Sequence, residues 1–257
     1  MLTQFKSINE LPAAVFAATP HESRSAKYAH IPTIDIVHHM SELGYGVVQA
    51  DAARVRKAHK FGYNTHILKF QHFDAPVKHD GTVSQILLRN AHDGTRAVEL
   101  FAGVFRFVCA NGIVAYSKDY GQATLGHRGG NLWERIKAAV NHIQTTTSAA
   151  DRLIDGWSKQ YLSYSQQLDF AHAALALRYP IADKAPIVAG DLLEAKRIED
   201  NGDNAWHVFN RVQEHLVRGG LQGNATGKPR SVRRIRGADS DLRFNAQLWG
   251  LAEKAFA

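Results

Sequence analysis

Arg218, Lys228, Arg230, Arg233, Arg234 and Arg236 fall within one stretch, RGGLQGNATGKPRSVRRIR, that contains no carboxylate. Cations set in a row without compensating anions are suited to neutralising the phosphates of a nucleic-acid backbone. Gly219, Gly220, Gly223 and Gly227 leave the backbone free to follow a partner, and Pro229 alone stiffens it. A solvated basic loop with no specific partner is the competing reading of the same residues.

Smaller groups of cations could add to such a contact. Arg128 lies in GHRGG (126–130), just ahead of a helical pattern, where exposed helix N–H groups also favour anions. Arg24 and Lys27 lie in HESRSAKY, with Tyr28 available to stack on an unpaired base. Arg89 and Arg96 flank the turn His92-Asp93-Gly94-Thr95 and could reach phosphates from its tip.

Catalytic chemistry is harder to assemble. Asp93 orienting His92 as a general base is conceivable, but adjacent turn residues point in different directions, and Asp-Gly is what the turn itself requires. Cys109 reads as a small buried residue at a strand end rather than a nucleophile. The chain has fourteen histidines. His59, His66, His72 and His79 recur at intervals of six or seven, and none forms the helical pair or the clustered His/carboxylate set of a metal centre. In GNATGKP the first glycine of a phosphate-binding loop is replaced by Gln222, and Pro229 stands where a Ser or Thr would hold magnesium. Glu99 is the only acid between Ala97 and Val108, which leaves too few converging carboxylates for two-metal chemistry. No catalytic residue, metal or cofactor is therefore expected.

The whole chain carries a formal charge of +7 over 257 residues, 45% of them hydrophobic, enough for a sizeable core and a net field that attracts polyanions. There is no apolar run long enough to span a bilayer and no signal-peptide layout. A single cysteine excludes an intrachain disulfide. A cytoplasmic protein without membrane contact is the expectation.

These residues need elements to hold them. Thr33 is placed to cap a short helix with Ile36, Val37 and Met40 on one side, stopped by Gly44 and Gly46. Strands are expected over Tyr45 to Gln49, Tyr63 to Phe73, Ser84 to Asn90 and Ala97 to Val108. Asp80-Gly81, Asp93-Gly94 and Asn111-Gly112 read as turns. From Asn131 the period turns helical through Trp133, Ile136, Val140 and Ile143, with a Thr/Ser-rich stretch placed to kink or interrupt the helix before Leu153. Further helices are expected from Ser165 to Arg178, from Asn204 to Arg218 with Gly219-Gly220 as the stop, and after Asp239. The class is α+β: an antiparallel curved sheet in a mainly strand part, 1–130, then a mainly helical part, 131–257, with the basic loop 218–238. The whole of 1–257 is expected to form a single domain.

Four segments carry a family resemblance: HESRSAKYAHIPT (21–33), NAHDGT with LFAGVFRFVCANGIV (90–114), GHRGG, and the tail from Asn204 through RGADSD and LRFNAQLWGLAE. Together they resemble a family of prophage and plasmid proteins of unknown function that includes the YafZ-like proteins. The resemblance implies a mobile-element setting with DNA metabolism as its neighbourhood. A sheet followed by a long helix, flanked by basic residues, is also similar in outline to phage single-strand annealing proteins of Rad-type fold. The expected function is nucleic-acid binding, single-stranded DNA favoured, with annealing or recombination promoted by a homo-oligomer. Alternatives are a protein-interaction factor acting on a host defence or replication complex, and a metal-dependent nuclease.

Overall fold

The computed structural model describes residues 4–25, 28–78, 81–106, 111–113, 122–126, 131–225 and 227–257. They divide into two compact units, one of the described residues within 1–112 and 118–147, the other of those within 113–117 and 148–257. The division falls inside a helix, between Thr147 and Ser148.

The first unit is built on alternation. Strands β1 (Tyr45–Ala52), β2 (His66–His72), β3 (Thr82–Asn90) and β4 (Val98–Arg106) pair in sequence order as antiparallel neighbours, and β5 (Asn111–Ile113) and β6 (Gln122–Leu125) both pair with β4. Asp93-Gly94 closes the β3–β4 hairpin, with Gly94 at φ +75° as such a turn demands. Asn111-Gly112 is not a turn but the start of β5. The register of β1 against β2 shifts between Val47 and Gln49.

Period two sends Leu68, Phe70, Leu88 and Leu100 to one face, where they meet Ile36 and Met40 of α1 (Thr33–Glu42) and Ile136, Val140 and Ile143 of α2 (Leu132–Trp157) in one core. Each such buried side chain contributes roughly 2 kcal/mol. Helix α2 runs unbroken through the Thr/Ser-rich stretch. Thr145 Oγ1 donates to the carbonyl of Asn141 at 3.0 Å, which satisfies the hydroxyl without opening the helix.

The second unit is helical. α3 (Tyr164–Arg178) starts at a Ser163–Gln166 capping box, α4 (Ala205–Arg218) at Asn204, whose side chain accepts from His207 N at 2.8 Å, and α5 (Ala238–Ala255) follows Gly237. Trp157, Trp206, Phe209, Trp249, Phe170 and Phe256 form a continuous aromatic core, including the Trp206–Phe209 stack at 5.7 Å between centroids. α4 is buried almost all round, so its polar side chains need internal partners. Arg197 forks onto Glu214 (2.9 and 3.2 Å), Arg211 donates to Gln167 (3.0 Å), Gln213 to Asn245 (2.8 Å), and His215 Nε2 to the Glu194 carbonyl (2.8 Å).

The observed class is α+β, an N-terminal antiparallel sheet followed by a mainly helical half. No helix among the described residues is long and apolar enough to cross a membrane.

Candidate nucleic-acid interface

The basic segment is a pinned hairpin rather than a free arm. β7 (Gln222–Gly223) and β8 (Arg230–Ser231) pair, and Val232 and Ile235 are buried while the cations beside them stay exposed. Main-chain bonds sew it to the end of α4: Gly220 N to Val232 O (2.9 Å), Val232 N to Leu221 O (2.9 Å) and Ile235 N to Val217 O (2.9 Å). Gly219 makes this possible. It sits at φ +72°, and a Cβ there would collide with the Val232 carbonyl oxygen and the Arg234 amide. Lys196 donates to the Gly219 carbonyl at 3.0 Å, and burial holds its ammonium below its ordinary pKa.

Along Val232–Arg236 only Val232 and Ile235 are buried, and Arg233, Arg234 and Arg236 are exposed. Arg218 and Lys228 are exposed as well. Arg230 and Arg233 meet Arg178, Tyr179 and Lys184 around a cleft of about 580 Å³ that Pro186, Gln222, Pro229 and Ser231 complete. None of the lining residues is acidic. Arg178 is the best-fixed of the cations. Its Nη2 donates to the Arg233 carbonyl at 3.3 Å, its guanidinium lies 5.8 Å from the rings of both Tyr179 and Phe244, and its Nε is buried without a hydrogen-bond partner. Four cations facing one space repel each other until an anion enters, so the cleft is electrostatically primed for a polyanion. Sequence reading missed Arg178, Tyr179 and Lys184. Their only signal was a basic and aromatic pair at the end of a helix, with a lysine six residues beyond it.

The remaining predicted contacts are scattered. Arg89 pairs with Glu99 across the β3–β4 register (2.7 Å) and lies over the Phe101 ring at 5.3 Å, so its charge is already matched within the sheet. Arg96 is half-buried. Arg24 is exposed and lies against Gly94, where a Cβ would strike its guanidinium. Lys27, Arg128 and Cys109 fall outside the described residues.

A second constellation was not anticipated. The segments 21–33 and 90–95 are brought together by His21 N donating to the His92 carbonyl (3.0 Å), and His92 N donates in turn to the Tyr63 carbonyl (2.9 Å). At the centre lies the buried hydroxyl of Thr33, within 2.8 Å of His66 Nε2, 3.2 Å of His92 Nε2 and 3.0 Å of Asn90 Nδ2. One proton assignment satisfies all of them. His66 Nδ1–H donates to the Asn64 carbonyl (3.0 Å), Thr33 donates to His66 Nε2, and Asn90 and His92 donate to Thr33. Burial pushes the His66 pKa down, against the Asn64 bond, which keeps the ring neutral as this scheme needs. Thr33 is thus spent on the network, and the residue at the helix N-cap is Pro32.

Asp93 turns its two oxygens to Thr95 (3.1 Å to N) and to the Lys60 ammonium (3.1 Å). Burial works to raise its pKa, but these bonds outweigh it and hold the carboxyl below its ordinary value. The dipeptide therefore serves the turn. Among the described residues no three His, Cys, Asp or Glu side chains converge to hold a metal.

Residues 20–249 match the family model described as "Domain of unknown function (DUF932)". Two similar proteins of Escherichia coli (strain K12), UPF0380 protein YfjQ and UPF0380 protein YafZ, are each 30% identical over 258 aligned positions, covering 98% of this chain and 90% of theirs. No solved structure matches it.

Proposed function

We propose, from the premise that the chain belongs to the DUF932 family of unknown function, that it is a nucleic-acid-binding protein whose phosphate contacts centre on the Arg178–Arg233 cleft. The observation that carries this reading is the cleft itself: four cations and a tyrosine around one space, with no acid in its lining. Phosphates supply the missing charge, and Tyr179 offers a ring to a base. Single-stranded DNA is the favoured ligand because a cleft this small admits one backbone and its unstacked bases better than a duplex. Annealing or recombination of strands by a homo-oligomer, in a mobile-element setting, is the role such binding would serve.

The test is binding of a labelled single-stranded oligonucleotide and its duplex across a salt series, with mass photometry of the same samples. Tight binding to the single strand that falls steeply with salt, by a multimer, supports the reading. Absence of binding at low salt removes it.

A further inference from the structure

The β1–β2 connection in the first unit carries a second charged surface that the basic hairpin does not explain. Residues 53–65 read ARVRKAHKFGYNT, with Arg54, Arg56, Lys57 and Lys60 and no carboxylate. Arg54, Arg56 and Lys57 are exposed and make no ion pair among the described residues. Phe61 follows them with 69% of its surface in water, although the core lies only a few residues away along β2.

That exposure is imposed by a stiff frame. Ala53 N donates to the Thr65 carbonyl (2.7 Å) and the Asn64 amide to the Ala53 carbonyl (2.7 Å), closing the base of the loop. A 3-10 turn at Ala58–Lys60 sets the tip, with Phe61 N donating to Ala58 O at 3.0 Å. The far side is held by Lys60 on Asp93 (3.1 Å) and by the Tyr63 carbonyl accepting from His92 N, while the His21 ring packs edge-on against Tyr63 at 5.2 Å. Gly62 at φ +84° turns the chain back with open space around it. Through His92 N on the Tyr63 carbonyl and His66 Nδ1 on the Asn64 carbonyl, the buried histidine network is tied to a loop that presents one aromatic ring among cations.

We infer that this loop is a nucleic-acid contact in its own right, in which Phe61 stacks on an unpaired base while Arg54, Arg56 and Lys57 hold the flanking phosphates. Exposed aromatics beside backbone-tracking cations are the means by which proteins grip single strands, since every base offers a face to stack on. A duplex hides those faces, so the ring confers preference for single strands. A membrane would also attract the cations, but Phe61 is the one exposed large hydrophobic side chain of residues 53–65, and a single ring gives little area to insert. The inference rests on the nucleic-acid reading for its partner and uses none of the cleft residues.

The experiment is fluorescence titration of single-stranded oligonucleotides containing 2-aminopurine, beside the matching duplex, with parent, Phe61→Ala, Phe61→Trp, Arg54→Gln/Arg56→Gln/Lys57→Gln and Arg230→Gln/Arg233→Gln proteins. Phe61→Ala is expected to weaken single-strand binding about tenfold and leave duplex binding unchanged, and Phe61→Trp to restore it. The triple variant should lower the salt slope by about two. All the changed side chains are exposed, and near-UV circular dichroism confirms an intact fold. Parent-like single-strand binding by Phe61→Ala, with binding lost in Arg230→Gln/Arg233→Gln, overturns this contact and leaves the cleft standing. No oligonucleotide binding by the parent overturns both. Adsorption of the parent to phosphatidylserine vesicles that Phe61→Ala abolishes, without any effect on oligonucleotides, assigns the loop to a membrane and overturns the inference.

Discussion

The Thr33 hydroxyl and His66 Nε2 lie 2.8 Å apart, although 33 positions separate them in the chain. That bond joins the start of α1 to the start of β2 and lets Asn90 and His92 of the β3 end share the same oxygen. In a buried polar network of this kind, removing one member leaves its partners unsatisfied. Thr33→Val keeps the shape and removes the hydroxyl, leaving His66 without its donor and two donors without their acceptor. A loss of about 2–4 kcal/mol is expected by urea denaturation, with Thr33→Ser close to the parent.

Acid should act on this network and on a second buried ring, that of His215. Burial depresses the pKa of His66, and of His215 in α4, below the ordinary histidine value. In each case the unfolded chain takes up the proton first as pH falls. Stability from these rings is therefore complete above about pH 6.5 and declines as pH drops below it toward the folded values. Asp93, also depressed, begins to lose its contribution only below about pH 4, so the two windows separate. Denaturation midpoints measured from pH 7.5 to 5 should fall, and His215→Gln should shallow the decline. A flat profile across that range would show that the rings titrate in the fold as they do in the unfolded chain.

Much of this architecture was legible, and the reasons for what was not are local. Alternating strands, the Asp93-Gly94 turn, the Asn204 cap and the Gly219 stop all act within a few residues, so a short window contains both cause and effect. The role of Thr33 depends on partners 33 to 59 positions away, which no local pattern records. Likewise, Arg230 and Arg233 were visible as cations, but the cleft needs Arg178, Tyr179 and Lys184 from the α3 end, brought in by helix packing. Gly-rich composition suggested a mobile arm because the buried Val232 and Ile235 look like incidental residues among arginines. Asn111-Gly112 misled for the opposite reason: pairing with β4 overrides a turn dipeptide at a short strand.

Gly219 is the position where backbone geometry sets the path of the basic hairpin. Gly219→Ala faces both a left-handed φ and contact with the Val232 and Arg234 backbone, so the hairpin must shift. Gly227→Ala meets the left-handed φ but open space. The first is expected to cost about 2–4 kcal/mol and the second about 1 kcal/mol. Only Gly219→Ala should also weaken oligonucleotide binding, because it alone moves Arg230 and Arg233. Equal binding by the two variants would separate the hairpin's position from the interface.

Arginines that look alike in sequence should part company in their effects. Arg89 is matched by Glu99 at 2.7 Å with both side chains largely buried, whereas Arg230 and Arg233 face the cleft. Arg89→Gln strands a half-buried carboxylate and should cost about 1–3 kcal/mol of stability, with little change in the affinity of the folded protein for a single strand. Arg230→Gln/Arg233→Gln should do the reverse. Its melting temperature should stay near the parent's, since it relieves repulsion among the four cleft cations, while affinity falls more than tenfold. The salt slope should drop by about 0.7 for each phosphate contact removed. Measuring melting temperature and salt-dependent affinity on the same three proteins decides the matter: if Arg89→Gln loses affinity as the cleft variant does, the phosphate path runs over the sheet and not through the cleft.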